Sequence, residues 1–216
     1  MKRLIVYDLD GTLVDTLDDI VAAANHTMAQ LKLPPIERDE VRRYVGRGLR
    51  ELVQKCLDTD DESLVTDAMR IYRKFYGQHM LDHSRPYPGV TDVLNHFRNR
   101  RQAVLTNKPD PYATQMVQAL GLAPFFASII AGDTCFPKKP NPASMRALIE
   151  EAGASAEEVI LIGDSTVDIE TARHVGAAVV AVCHGLEDKE ALVAAKPDRL
   201  VADFRELLAL ARAERW

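Results

Sequence analysis

The chain has 216 residues, of which 47% are hydrophobic and 27% charged, and a formal net charge of −5. That length supports one full core or a core with an inserted unit, and the composition is that of an ordinary globular protein. The acidic balance argues against nucleic acid or an anionic membrane as main partner, and no apolar run approaches the roughly 20 residues needed to span a bilayer. Met1-Lys2-Arg3 and the apolar residues behind it are cut off by Asp8 and Asp10, too early for an export signal, so a cytoplasmic location is expected. Cys56, Cys135 and Cys183 are odd in number and form no CxxC pair, which predicts three reduced, mostly buried thiols.

Leu4-Ile5-Val6-Tyr7 is an apolar run without alternation, the pattern of a strand buried on both faces of a parallel sheet. It ends in Asp8-Leu9-Asp10-Gly11-Thr12. Thr16 with Asp19 resembles a capping box, after which Leu17, Ile20, Val21, Ala24, Met28 and Leu31 recur at helical spacing up to Pro34-Pro35. Helices are predicted over 38–44, 49–57 and 60–80, with Val45-Gly46-Arg47-Gly48 between the first two. No strand interrupts this block, which has enough apolar surface to form a small bundle.

From Pro86 the pattern changes to alternating helix and strand. Strands are predicted at 103–106, 128–131, 159–162, 177–182 and near Leu200-Val201. Helices are predicted from Val90, over 112–120, from Asn141 as cap with Pro142 at the first position, over 167–175, and from Phe204. Such alternation implies right-handed βαβ units, hence an α/β fold with a doubly wound parallel sheet. Residues 1–15 and 87–216 are the expected core, with 16–86 inserted as an α-helical cap beside the two aspartates.

In open α/β sheets, ligands sit beyond the carboxyl ends of the strands. The predicted strands deliver to that edge Asp8 and Asp10, Thr106 and Asn107, Lys138 or Lys139, and Asp164 with Asp168 one turn into a helix. Crowded carboxylates repel unless a cation neutralises them, and Mg²⁺ suits oxygen ligands shared with a substrate phosphate. Hydroxyl, amide and ammonium groups suit the remaining phosphate oxygens. An ionised aspartate needs no base to act as nucleophile, and a second carboxylate two residues on can handle protons. The inferred chemistry is phosphoryl transfer through an aspartyl-phosphate.

Asp8-Leu9-Asp10-Gly11-Thr12-Leu13-Val14-Asp15-Thr16, Thr106-Asn107-Lys108, Lys139-Pro140-Asn141-Pro142 and Gly163-Asp164-Ser165-Thr166-Val167-Asp168 resemble, in order, the four motifs of the haloacid dehalogenase superfamily. The resemblance implies a Rossmann-like core, Asp8 as nucleophile and Asp10 as general acid/base. It implies Thr106 and Asn107 as phosphate ligands, and favours Lys139 over Lys138 as the active-site cation. Mg²⁺ would be held by Asp8, the backbone carbonyl of Asp10, and Asp164, with Asp168 in support. A second aspartate where dehalogenases lack one points to the phosphotransferase branch. The helical block is similar to the cap of the phosphoglycolate phosphatase-like subgroup, which implies a small phosphorylated metabolite, phosphoglycolate first, as substrate.

Arg47 sits between two glycines where that subgroup places a substrate-facing loop, and is a candidate for a second anionic group on the substrate, against the alternative of a solvated basic patch with Arg42, Arg43 and Arg50. Lys108 is read as solvated or beside the substrate, His184 as incidental or a substrate contact, and the tyrosines of 60–80 as cap core. The rival activities are a phosphomutase of the β-phosphoglucomutase type and an inorganic pyrophosphatase. A non-catalytic phosphate-binding protein is disfavoured because both Asp8 and Asp10 are present. No nucleic-acid or membrane partner is expected, and the assembly is expected to be a monomer or homodimer.

Overall fold

The computed structural model describes residues 2–216. In chain order the first half comprises β1 (Leu4–Tyr7), β2 (Val14–Asp15), α1 (Leu17–Gln30), α2 (Arg38–Tyr44), α3 (Leu49–Leu57), α4 (Glu62–His79), β3 (Arg85–Pro86), α5 (Val90–His96) and β4 (Arg101–Leu105). The second half comprises α6 (Tyr112–Ala119), β5 (Ser128–Ile130), α7 (Ala143–Glu151), β6 (Val159–Gly163), α8 (Thr166–Val175), β7 (Ala178–Val182), α9 (Lys189–Ala195), β8 (Arg199–Val201) and α10 (Phe204–Ala213).

Six strands form one sheet in the order β5-β4-β1-β6-β7-β8, and every neighbouring pair is parallel. β1 is central, with Val6 in register with Ala103 on one side and Leu161 on the other. All four of its residues are fully buried, which is why the run is uninterrupted by polar residues. Alternate strand residues feed two separate cores. Ile5, Tyr7, Val104, Ile160 and Ile162 pack with Val93 and Leu94 of α5, Met116 of α6 and Phe204 and Leu207 of α10. Leu4, Val6, Ala103, Leu105 and Leu161 pack with Met145 and Leu148 of α7, Ile169 of α8 and Leu192 of α9. The period-2 pleat thus gives a doubly wound α/β sandwich with helices on both faces.

Helices α1–α4 lie between β1 and β4 in sequence and pack on one another, α1 on α4 and α2, and α3 on α4. This inserted helical cap is joined to the sheet through a small antiparallel ribbon, in which Val14 pairs with Pro86 and Asp15 with Arg85. No helix among the described residues is long and apolar enough to cross a membrane.

The structure corrects several sequence expectations. Thr16 is the residue before α1, but its side chain makes no capping bond. Asp19 instead reaches across the cap junction, accepting from the backbone N–H of His83 (3.0 Å) and Ser84 (2.8 Å) and from the Ser84 hydroxyl (2.6 Å). That buried carboxylate gains more from two amides and a hydroxyl than from one local bond. Helix α7 starts one residue late, with Pro142 at the cap position, although the Asn141 side chain still accepts from Ala143 N–H at 3.0 Å. The three cysteines are free, as expected, but not mostly buried: Cys135 is exposed and the others are half-buried.

Candidate active site

The carboxyl ends of β1, β4 and β6 meet at the centre of the sheet, and the loops leaving them carry the candidate residues. Asp8 follows β1 directly, and its N–H continues the sheet by donating to Ile162 O at 3.0 Å. Its Oδ1 accepts from Leu9 N–H (2.7 Å) and from Lys139 Nζ (2.9 Å). Among the described residues no hydrogen bond reaches Asp8 Oδ2, so one oxygen of this buried carboxylate stays free.

Lys139 Nζ also donates to Asp168 Oδ1 at 2.7 Å, so one ammonium, itself 3% exposed as a residue, bridges two carboxylates. Asp168 is fixed from its other oxygen by a capping box at the start of α8, where the Ser165 hydroxyl donates to Oδ2 at 2.6 Å. Asp164 is equally constrained, accepting from the Thr12 hydroxyl (2.6 Å) and from Leu186 N–H (2.7 Å). Three glycines, Gly11, Gly163 and Gly185, make this approach possible. A Cβ at Gly11, whose φ is +79°, would lie 2.3 Å from Asp164 Oδ2, and one at Gly163 would lie 2.3 Å from the Asp168 carboxyl carbon.

Asp8, Asp164 and Asp168 each place a carboxylate oxygen within 4.8 Å of the other two. Among the described residues only Lys139 pairs with these carboxylates, so the cluster is short of positive charge in a buried place. Burial, and secondarily Asp168, pushes the Asp8 carboxyl up to about 7 against the opposing pull of Lys139. Burial and the Asp8 and Asp168 charges likewise raise Asp164 well above the carboxylate range. Burial opposes the charge on Lys139, but Asp168 and Asp8 together hold its pKa above that of an ordinary lysine. Three oxygen donors short of a positive charge match what a hard divalent cation requires, and the cluster could hold one.

The loop after β4 supplies the next group. Thr106 Oγ1 accepts from Lys108 N–H at 3.1 Å, which leaves its own proton to donate. The Asn107 amide is engaged on both ends, Oδ1 accepting from Lys139 N–H (2.9 Å) and Nδ2 donating to Lys139 O (3.0 Å) and Gly46 O (2.9 Å). Asn107 therefore fixes the lysine loop and touches the cap. Asp10 lines the same cavities as Asp8 and pairs with Lys108, Nζ to Oδ1 at 2.8 Å. Lys138 makes no ion pair with the cluster among the described residues, and runs so close to Gly48 of the cap that a Cβ there would lie 2.5 Å from its Nζ.

Two chambers open from Asp8 and Asp10 beneath the cap. One, about 50 Å³, is walled by Ile20, Leu49, Leu52, Tyr72, Tyr76 and Tyr112. The other, about 270 Å³, is rimmed by Arg42, Arg43, Arg47 and Lys55 of the cap and by Thr166 and Glu187 of the core. Arg47 is thus brought to the site, though half exposed and only loosely paired with Glu51 at 3.9 Å. Arg42 spans the gap to Asp188 of the core at 3.1 Å. His184 is removed from the chemistry: its Nε2 lies 3.2 Å from Thr12 O and its ring packs on Tyr87 at 4.2 Å.

Sequence reasoning passed over Thr12, Ser165 and the pair Lys108–Tyr76. Lys108 is buried rather than solvated, and Tyr76 is more than cap core, since its hydroxyl accepts from Lys108 Nζ at 2.6 Å. Thr12 and Ser165 stand beside motif aspartates, a signal that was available. Nothing local in the sequence joins residues 76 and 108.

Comparison with known proteins agrees with this geometry. Residues 5–182 match the family model described as haloacid dehalogenase-like hydrolase. The chain is 35% identical to a phosphoglycolate phosphatase of Agrobacterium fabrum over 96% of its own length and 91% of the relative's. It is 34% identical to one of Mesorhizobium japonicum over 99% and 96% of the two chains. A crystal structure described as a predicted phosphoglycolate phosphatase from Haemophilus somnus superposes with a TM-score of 0.92 at 29% identity, covering 97% and 98% of the two chains. CbbY from Rhodobacter sphaeroides, solved with phosphate, superposes with a TM-score of 0.81 at 25% identity over 96% of each chain. The match takes in the sheet edge and the inserted cap alike, and the chain belongs to the haloacid dehalogenase-like hydrolase family, as one of its phosphoric monoester hydrolases.

Proposed function

We propose that this chain is a magnesium-dependent phosphatase for a small phosphorylated metabolite with a second anionic group, phosphoglycolate in the first instance. The observation that carries this reading is the free Oδ2 of buried Asp8, beside Lys139 and the acidic cluster, at the floor of an arginine-rimmed chamber. The curated relatives named phosphoglycolate phosphatase support the choice of substrate.

Asp8 Oδ2 attacks phosphorus while Asp10 gives a proton to the departing oxygen. Asp10 then takes a proton from the water that hydrolyses the aspartyl-phosphate. The Thr106 hydroxyl receives a phosphoryl oxygen, Asn107 holds the lysine loop through its fully engaged amide and would turn to phosphate only by releasing Gly46, and Lys139 holds Asp8 in place and steadies the charge. Asp8, the backbone carbonyl of Asp10, and Asp164 would hold Mg²⁺, with Asp168 in support. Bound there, the metal neutralises the carboxylates and draws charge from the phosphoryl group. The cap excludes bulk water from the intermediate.

Phosphate release from a panel of small phosphometabolites with Mg²⁺ present tests the reading. Phosphoglycolate is expected among the best substrates, whereas isomerisation of a sugar phosphate without net release, or preference for pyrophosphate, would replace it. Arg47→Ala should lower kcat/KM for phosphoglycolate about tenfold, the loss of one charge-assisted contact, and p-nitrophenyl phosphate by no more than about twofold. Equal losses on both esters would remove Arg47 from substrate recognition.

The acidic cluster also sets a pH dependence. Asp8 has a folded pKa of about 7, above its ordinary value of 3.8, so the folded state binds the extra proton. Its contribution to stability is complete below about pH 4 and is lost as pH rises through about 7 in metal-free protein; raised Asp164 acts in the same direction. Magnesium should therefore raise the thermal midpoint more near pH 8 than near pH 5.5. Thermal unfolding with Mg²⁺ or with chelator at both pH values checks this, and an increment that shrinks at the higher pH would contradict it.

A further inference from the structure

Lys108 is held by the core and reads the cap. Its N–H donates to Thr106 Oγ1 and its carbonyl accepts from Gly132 N–H at 2.9 Å. That crossing requires glycine, because a Cβ at Gly132 would lie 2.2 Å from Asn107 O. The side chain then runs inward until it is only 4% exposed. A buried ammonium is unfavourable unless it is matched. Its two partners come from opposite sides of the site: Asp10 of the core at 2.8 Å and the Tyr76 hydroxyl, on cap helix α4, at 2.6 Å. Tyr76 is 2% exposed and packs against Tyr72 of its own helix and Tyr112 of core helix α6, with ring centroids at 5.4 and 5.5 Å, so its hydroxyl meets Lys108 where α4 rests on the core.

We propose that Lys108 is a positioning residue that orients the Asp10 carboxylate as the base for hydrolysis of the aspartyl-phosphate, and that Tyr76 makes this orientation conditional on a seated cap. The proposal rests on the phosphatase reading above. In that half-reaction a water oxygen bonds to phosphorus while the bond from phosphorus to the Asp8 oxygen breaks. The electron pair returns to Asp8, the water's proton passes to Asp10, and orthophosphate leaves. Lys108 grips Oδ1 of Asp10, which turns the remaining oxygen into a defined proton acceptor. When α4 withdraws, the ammonium loses one of its two side-chain partners and turns to water, and the Asp10–Lys108 pair no longer has a single direction. Water attack is thereby confined to the closed enzyme.

The test is a rapid-quench measurement with p-nitrophenyl phosphate and Mg²⁺, an ester whose leaving group needs no proton. Lys108→Met should release about one nitrophenolate per site in a burst, accumulate acid-stable phosphoenzyme, and then turn over about 10–100-fold more slowly than wild type. Tyr76→Phe should show the same pattern with a steady rate lowered about 3–10-fold. Adding Lys108→Met to Asp10→Asn should cost nothing beyond Asp10→Asn alone. A slowed steady rate with neither burst nor phosphoenzyme would place Lys108 before the intermediate and overturn the proposal. So would wild-type behaviour of Tyr76→Phe, or additive losses in the double variant. If circular dichroism shows Lys108→Met unfolded, Tyr76→Phe and Lys108→Arg carry the burst measurement. A wild-type protein that releases no phosphate from any ester defeats the phosphatase reading itself. A Lys108 variant that hydrolyses its phosphoenzyme at the wild-type rate defeats only the role of Lys108.

Discussion

Asp8→Asn is expected to lower turnover by roughly 10⁴–10⁶-fold, on the order of losses caused by removing a covalent nucleophile elsewhere. The amide keeps the size and one acceptor oxygen of the carboxylate but offers no anionic oxygen to attack phosphorus. Leu9 N–H and Lys139 keep an acceptor where Oδ1 stands, at 2.7 and 2.9 Å, so the strand end should hold its shape. Because the native carboxyl titrates near 7 through burial, taking its charge away relieves a desolvation cost at higher pH. The variant should therefore be folded at about pH 8, with near-ultraviolet circular dichroism like that of wild type, and should form no acid-stable phosphoenzyme. Substantial phosphate release by folded Asp8→Asn protein would sink the nucleophile assignment.

Lys139→Met should damage stability and activity together. The ammonium is the direct counter-charge of Asp8 and Asp168, at 2.9 and 2.7 Å, and is itself buried. Methionine fills most of its volume and leaves two buried carboxylates uncompensated, a change that typically costs about 3–5 kcal/mol. Catalysis should fall by roughly 10²–10³-fold, the range for losing one preorganised charge at the reacting group. Lys139→Arg should not restore it, because a planar fork cannot occupy the compact position between the two carboxylates. Mg²⁺ should recover part of the stability and little of the rate. Denaturant melts and steady-state kinetics check both, and a variant as stable as wild type in chelator would show that Lys139 is not the counter-charge of the cluster.

The parts of this site legible in sequence share one property: their role follows from a short stretch. Leu4–Tyr7 reads as a central strand because burial on both faces leaves no polar position, and Asp8 follows it directly. Asp164 follows β6 in the same way, and Asp168 sits at the one place where a capping box and a lysine both reach it. What stayed hidden is settled across the chain. Asp19 is three residues from Thr16, the spacing of a local cap, yet it serves Ser84, 65 positions away. Lys108 and Tyr76 are 32 positions apart and meet only after the cap has packed on the core. The ribbon of β2 and β3 has two residues per strand, too few to show any periodicity. Helix α9, seven residues long with Leu192 its only buried residue, left too weak a stripe to be read.

That short ribbon has a mechanical consequence. The chain crosses between sheet and cap twice, and the two crossings are bound to each other by the pairs Val14–Pro86 and Asp15–Arg85 and, one turn further, by Asp19 to Ser84. Two tethers joined side by side bend readily in one direction and resist torsion, since twisting would shear those bonds. On this ground alone, rocking of the cap would disturb fewer of these bonds than twisting it. The ribbon starts in the turn where Gly11 N–H meets Val14 O and Asp10 bridges Val14, so the tether of the cap and the second aspartate share one stretch of backbone.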